Sequence, residues 1–232
     1  MLQKIVLIAF VILSLSISNA QETKGSFSKE MKTKLEFHYI LQLPKNQQEK
    51  FPLLVFLHGS GERGIILENV KAHSPFTYQD KIAQPIAILA PQCPANQWWD
   101  TKALYELINN IIEKYNIDKS RIYLTGLSMG GWGAWKLAED YPELFAALAP
   151  VCGPVDRKMM FEVDKIKNIP THIYHGALDD VVPPIQSIEM YQKLKKINPN
   201  ASLTIFPNDN HNSWDSTYSN PEFYNWLFLQ HL

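Results

Sequence analysis

Tyr123-Leu124-Thr125-Gly126-Leu127-Ser128-Met129-Gly130-Gly131 is the stretch that decides how this chain is read. Residues 121–125 form an apolar, β-favouring run, and from Trp132 the pattern turns helical. Between them Gly126, Ser128 and Gly130 make G-x-S-x-G, the spacing of a sharp strand-to-helix turn that lifts a serine above the end of a sheet. Such a turn holds the serine at strained backbone angles, and its neighbours two positions away crowd each other unless they lack a Cβ. The serine oxygen then stands beside the exposed N–H groups of the following helix, where charge developing on a bound carbonyl is stabilised.

The pattern on either side fits such a turn. Leu53-Leu54-Val55-Phe56-Leu57 shows no alternation and predicts a strand buried on both faces, ending in the loop His58-Gly59-Ser60-Gly61-Glu62-Arg63-Gly64. Before it, Leu35, Phe37, Tyr39, Leu41 and Leu43 alternate with Glu36, His38 and Gln42, which predicts a strand with one dry face. Residues 44–52 read as a polar, hairpin-like connection. Residues 86–90 are a further buried run, leading to Pro91-Gln92-Cys93-Pro94 and Trp98-Trp99. From Thr101, the residues Leu104, Leu107, Ile108, Ile111 and Tyr115 mark one helical face.

Downstream, strands are predicted over 145–151, 171–175 and 201–206, with a helix over 184–197. Ser219-Asn220-Pro221 is a cap with proline at the first helical position, and Phe223, Trp226 and Leu227 face inward after it. Strands alternating with helices predict an α/β fold: a doubly wound, mostly parallel sheet with helices on both faces. Ligands of such sheets bind at the carboxyl ends of the strands, and every chemically suggestive loop here falls at one.

With 232 residues, 46% of them hydrophobic, the chain can bury one substantial core, so residues 21–232 are expected to form a single domain. A net charge of -1 gives no electrostatic reason to expect nucleic acid or an anionic membrane as a partner. Residues 1–20 read as a secretory signal peptide: Lys4, an apolar run over 5–15, then Ser18-Asn19-Ala20 before a cut after Ala20. The run is short for a spanning helix, although an uncleaved anchor is the alternative. The protein is thus expected to be secreted or periplasmic, with no stable membrane association after cleavage. Export permits a Cys93–Cys152 disulfide, since each cysteine follows a predicted strand. Two buried free thiols are the other possibility.

A serine hydroxyl becomes a nucleophile near neutral pH only with a base in reach and a third group that orients the base. The order serine, acid, histidine belongs to this type of turn. Downstream of Ser128 come Asp179 and Asp180 after the sixth strand, then His211 in Asn208-Asp209-Asn210-His211-Asn212 after the seventh. No metal is expected, because His58, His175 and His211 stand apart with no Cys/His cluster. No cofactor is expected either, because neither a Walker loop nor a G-x-G-x-x-G follows a strand. Trp98, Trp99 and Trp214 fall in loops at the active end, placed to receive an aromatic or sugar ring. Trp132 and Trp135, on the helix after the turn, read as core.

Four pieces together carry a family resemblance. They are Leu57-His58-Gly59-Ser60-Gly61, Gly126-Leu127-Ser128-Met129-Gly130-Gly131, His175-Gly176-Ala177-Leu178-Asp179 with Val182-Pro183, and His211 with Ser213-Trp214. The chain resembles an α/β-hydrolase of the compact carboxylesterase and phospholipase type. It is similar in pattern to acyl-protein thioesterases and to secreted feruloyl and polyhydroxyalkanoate esterases. The resemblance implies Asp179 rather than Asp180 as the acid, backbone N–H groups of Ser60 and Met129 as the oxyanion hole, and a structural role for His58 in holding that loop. Glu62 and Arg63 either pair with each other or steer a polar substrate. Residues 153–170 leave no room for a large lid domain, so no interfacial activation is expected. The activity implied is that of a secreted serine carboxylesterase acting through an acyl-enzyme on short-chain or carbohydrate-linked esters of feruloyl or acetyl type. Its ligand would be a small-molecule or glycan ester. The turn also resembles the catalytic domains of prolyl-oligopeptidase-type peptidases, which makes a serine peptidase the runner-up. A non-catalytic binding protein of the same fold is the third reading.

Overall fold

The computed structural model describes residues 36–232. The expected signal peptide and its cleavage site lie outside the described residues, as does Leu35 at the start of the first expected strand. Seven strands form one sheet: β1 (His38–Gln42), β2 (Phe51–Leu57), β3 (Ala87–Gln92), β4 (Ile117–Leu127), β5 (Ala147–Val151), β6 (Thr171–Gly176) and β7 (Ala201–Phe206). Their spatial order is β1-β3-β2-β4-β5-β6-β7, with β1 antiparallel to β3 and every other pair parallel.

The unalternating sequence of β2 has the cause inferred for it. Leu53, Val55 and Leu57 point into one core with α1 (Thr101–Lys114), α2 (Met129–Asp140) and α4 (Ile185–Lys195). Leu54 and Phe56 point into a second core with α5 (Trp214–Tyr218) and α6 (Pro221–Phe228). Helices therefore cover both faces of the sheet, which is the doubly wound arrangement. Capping is local and legible. The Asp100 carboxylate accepts the Ala103 N–H at 3.0 Å to start α1, and the Asn220 side chain accepts from Glu222 before Pro221 opens α6.

One connection differs from expectation. Residues 44–52 do not close a hairpin, because β1 pairs with β3 and not with the next strand, β2. The physical reason is burial: β2 is apolar on both faces and takes the inner place between β3 and β4, while the half-polar β1 is suited to an edge. Cys93 and Cys152 are both free and buried, and burial pushes their thiols up to about 11 and about 12. Among the described residues no helix is long and apolar enough to cross a membrane.

Candidate active site

The site begins where β4 stops. Ser128 sits at φ 52° and ψ −117°, a left-handed conformation that costs a non-glycine residue energy and that its surroundings must impose. They do so by close approach. A Cβ on Gly126 would strike the Gly130 carbonyl, and one on Gly130 would strike the backbone carbonyls of Leu57 and His58. The Ser128 N–H bonds the Val151 carbonyl at 3.0 Å, and the Trp132 N–H bonds the Ser128 carbonyl at 3.1 Å, so α2 begins at once. Leu57 lies beside Gly126 in the β2–β4 register, and the loops leaving both strands therefore emerge side by side.

Two further loops bring a histidine and a carboxylate to this serine. His211 Nε2 lies 2.9 Å from Ser128 Oγ, and His211 Nδ1 lies 2.8 Å from Asp179 Oδ2. The loops are tied to each other: the Leu178 N–H bonds the Asp209 carbonyl at 2.9 Å, and the Ala177 N–H bonds the Phe206 carbonyl at 2.8 Å. Asp179 Oδ1 accepts the N–H groups of Val181 (2.9 Å) and Val182 (2.8 Å). Burial alone would raise the Asp179 carboxyl, but the bonds from His211, Val182 and Val181 outweigh it and hold the group below the usual carboxylate range. Asp180 is exposed and makes none of these bonds. The backbone thus distinguishes two acids that are adjacent in sequence.

A second histidine supports the same carboxylate, a contact that sequence reasoning missed. His175 Nε2 lies 3.0 Å from Asp179 Oδ2 and 2.9 Å from the Val182 carbonyl, so that nitrogen carries the proton. Its Nδ1 accepts from the Ser187 hydroxyl at 2.7 Å. Burial lowers the His175 pKa, which keeps the ring neutral. The signal was present in the His-Gly-x-x-Asp spacing, which places His175 four residues before the acid.

His58 has a comparable task in the loop after β2. It is buried, its Nε2 accepts the Cys93 N–H at 3.0 Å, and its proton therefore sits on Nδ1, which donates to the Gly59 carbonyl at 2.6 Å. That carbonyl belongs to the same peptide unit as the Ser60 N–H. Holding one end of a planar trans peptide fixes the direction of the other. Burial lowers His58 to about 4, so the neutral tautomer persists through the physiological range. Arg63 fixes the next peptide, donating from Nε to the Ser60 carbonyl at 3.0 Å and from a terminal nitrogen to the Gln97 carbonyl at 3.2 Å. Met129 is the first residue of α2, and first-turn N–H groups have no partner inside the helix. Arg63 is thus engaged with backbone carbonyls. The Glu62 carboxylate lies under the loop, 3.9 Å from His58 Nδ1, and burial raises its pKa.

The three candidate tryptophans separate. Trp98 is 54% exposed, whereas Trp99 is 4% exposed and packs on His58 with ring centroids 4.8 Å apart. Trp99 is core, and this corrects the substrate role expected of it. Consecutive side chains turned in opposite directions, and the inner one fills the space left by Gly133. Trp214 is half-buried and meets the His211 ring edge-to-face at 5.4 Å. Trp135 is core as expected, but Trp132 is only half-buried and meets Trp98 edge-to-face at 5.0 Å. Between β5 and β6 the chain forms α3 (Arg157–Glu162) and one short 3-10 turn, with no lid domain.

Among the described residues one group has metal-ligand geometry. Cys152, Asp179 and His211 offer atoms within 4.8 Å of one another. The donor chemistry argues against a metal centre. The Cys152 thiol is pushed up to about 12, so thiolate is scarce, and both Asp179 oxygens already accept N–H bonds.

A serine, a histidine and a carboxylate in one hydrogen-bonded line, with the serine at the start of α2, is an arrangement for acyl transfer. The family model for phospholipases and carboxylesterases matches residues 99–220, more than half of the chain. This chain belongs to that family. The chain has the α/β-hydrolase fold. It is similar to a solved structure of a thermostable esterase, at 37% identity and a TM-score of 0.76 over 84% of this chain and 59% of that one. It is also 26% identical over 182 residues to a bifunctional acetylxylan esterase/xylanase of Neocallimastix patriciarum, covering 74% of this chain and 25% of the relative. A shorter stretch of 54 residues is 41% identical to feruloyl esterase B of Neurospora crassa, covering 23% of this chain and 18% of the relative. This chain thus spans about a quarter or less of the length of these two relatives.

Proposed function

We propose that this chain is a serine esterase in which Ser128 is the nucleophile, His211 the general base and acid, and Asp179 the group that orients His211. The observation that carries this reading is the unbroken line from Asp179 Oδ2 to His211 Nδ1 (2.8 Å) and from His211 Nε2 to Ser128 Oγ (2.9 Å). With Asp179 ionised, the imidazole proton belongs on Nδ1 and the Nε2 lone pair faces the hydroxyl.

Ser128 Oγ adds to the ester carbonyl carbon while its proton passes to His211 Nε2. The carbonyl oxygen becomes an oxyanion held by the N–H groups of Ser60 and Met129. Collapse breaks the bond to the alkoxy oxygen, which takes the proton from His211 and departs as the alcohol. Water then adds to the acyl-enzyme as it gives a proton to His211, and collapse releases the acid as Ser128 Oγ takes that proton back from His211 Nε2. The substrate is a short-chain or carbohydrate-linked ester of acetyl or feruloyl type, a proposal supported by the open site and by the names of the two curated relatives. Small-molecule or glycan esters are then its partners, with nucleic acid and a lasting membrane attachment outside its role. Export with cleavage after Ala20 fits such substrates and rests on the amino-terminal sequence.

Ser128→Ala tests the reading. Turnover of p-nitrophenyl acetate should fall by at least about a thousandfold with the melting temperature preserved. Retention of more than about a tenth of the wild-type rate would remove Ser128 from the chemistry.

A further inference from the structure

We infer that Trp98, Trp132 and Asp156 form the acyl subsite of this esterase, and that the acyl group it accepts carries a planar aromatic ring. The inference rests on the proposed roles of Ser128 and His211. It begins with the four substituents of the tetrahedral carbon. One is Ser128 Oγ, and one is the oxyanion at the N–H groups of Ser60 and Met129. The third, the alkoxy oxygen, must come within hydrogen-bond reach of His211 Nε2 to receive its proton. The acyl chain takes the direction that remains.

The two faces of the sheet identify that direction. His211 is flanked by Trp214, which packs with the α5–α6 core and also meets the ring of His73 at 5.5 Å. The leaving alcohol therefore passes Trp214 and His73. Trp132 lies one helical turn after Ser128 and packs against the opposite core, the one holding α1, α2 and α4. It is met edge-to-face by Trp98 at 5.0 Å and 75°. The acyl chain leaves toward this pair.

The pair is built to hold its shape. The Trp132 indole N–H donates to Asp156 Oδ2 at 3.3 Å, and the other oxygen of Asp156 caps α3 by accepting the Met159 N–H at 2.9 Å. Asp156 thus ties the Trp132 ring to the loop after β5, so little side-chain freedom is lost when a ligand binds. Contact with Trp132 covers at most one face of Trp98, and Trp98 remains 54% exposed. A large aromatic left open beside the first turn of α2, held by a tethered second aromatic, suits stacking of a flat ring. A purely aliphatic acyl group would gain only area burial there.

The experiment varies one side of the ester at a time, using the full chain. Methyl acetate and methyl cinnamate share the alcohol, and phenyl acetate shares the acyl group of the first. Trp98→Ala should lower kcat/KM for methyl cinnamate by about tenfold and leave methyl acetate and phenyl acetate within about twofold. Asp156→Ala, which releases Trp132, should shift the same substrate in the same direction by a smaller factor. A binding readout is independent of turnover: methyl cinnamate should bind Ser128→Ala about tenfold more tightly than it binds the Ser128→Ala/Trp98→Ala double variant. Equal losses on all three esters, a loss confined to phenyl acetate, or unchanged cinnamate binding would overturn the subsite. Wild-type protein that hydrolyses none of the esters would instead overturn the esterase reading, while the binding comparison would still decide the subsite.

Discussion

Replacing Asp179 by Asn changes one atom in the hydrogen-bonded line proposed to activate Ser128. Asn Oδ1 can still accept the N–H groups of Val181 and Val182, now at 2.9 and 2.8 Å, so the loop keeps its backbone anchors. The amide NH2 then occupies the Oδ2 position, where His211 Nδ1 at 2.8 Å and His175 Nε2 at 3.0 Å both present protons. Two donors cannot face each other. His211 resolves the conflict by moving its proton to Nε2, the nitrogen 2.9 Å from Ser128 Oγ, and a base that already carries a proton there cannot accept another. The matching substitution in serine proteases lowers kcat by about 10⁴, so a loss of about 10³ to 10⁴ is expected here, or about 4–5.5 kcal/mol of barrier. Stability should fall by only about 1–3 kcal/mol, from the weakened bonds to the two histidines. The assay is p-nitrophenyl acetate hydrolysis on folded protein, with thermal melts alongside. Asp180→Asn is the control: that side chain is exposed, and its rate should stay within about twofold of wild type. An Asp179→Asn protein within tenfold of wild type, or an impaired Asp180→Asn protein, would exclude Asp179 as the orienting acid.

Glu139, 1% exposed with neither carboxylate oxygen hydrogen-bonded, is raised to about 7, chiefly by burial and further by Glu162 and Asp156, with Lys136 opposing. An acid raised in the fold is protonated in both states below about pH 4.5, loses stability progressively as pH rises toward 7, and carries the full cost above that. Glu139→Gln should therefore stabilise the protein at pH 8 by on the order of 2 kcal/mol and hardly at all at pH 4.5, and denaturant melts showing equal effects at both pH values would contradict this. His58→Leu removes the bonds to the Cys93 N–H and the Gly59 carbonyl, and should lower kcat by at least about tenfold with KM little changed. A rise in KM alone would mean that the Ser60 peptide does not depend on His58. With only α3 and a short turn between β5 and β6, the rate on a triglyceride should show no jump once the lipid passes its solubility limit. A jump at that concentration would require an apolar cover elsewhere.

Sequence alone determined the layout, because the cues are local. The unbroken apolar run of residues 53–57 could satisfy both faces only in the middle of a parallel sheet, and the glycines around Ser128 could be exchanged for nothing larger at a turn where Leu57 and Gly130 carbonyls crowd in. The order serine, acid, histidine followed from loops at the carboxyl ends of β4, β6 and β7. What required the tertiary structure was the physical ground for telling neighbours in the chain apart. Asp179 and Asp180 are equivalent in composition, and only the N–H groups of Val181 and Val182 turn one inward. Trp98 and Trp99 are identical residues, and only the gap above Gly133 makes the second one core. The place of β1 beside β3, the free state of the two cysteines and the support of Asp179 by His175 are likewise long-range facts. They depend on which segments a folded sheet brings together, and hydrophobic periodicity carries no record of that.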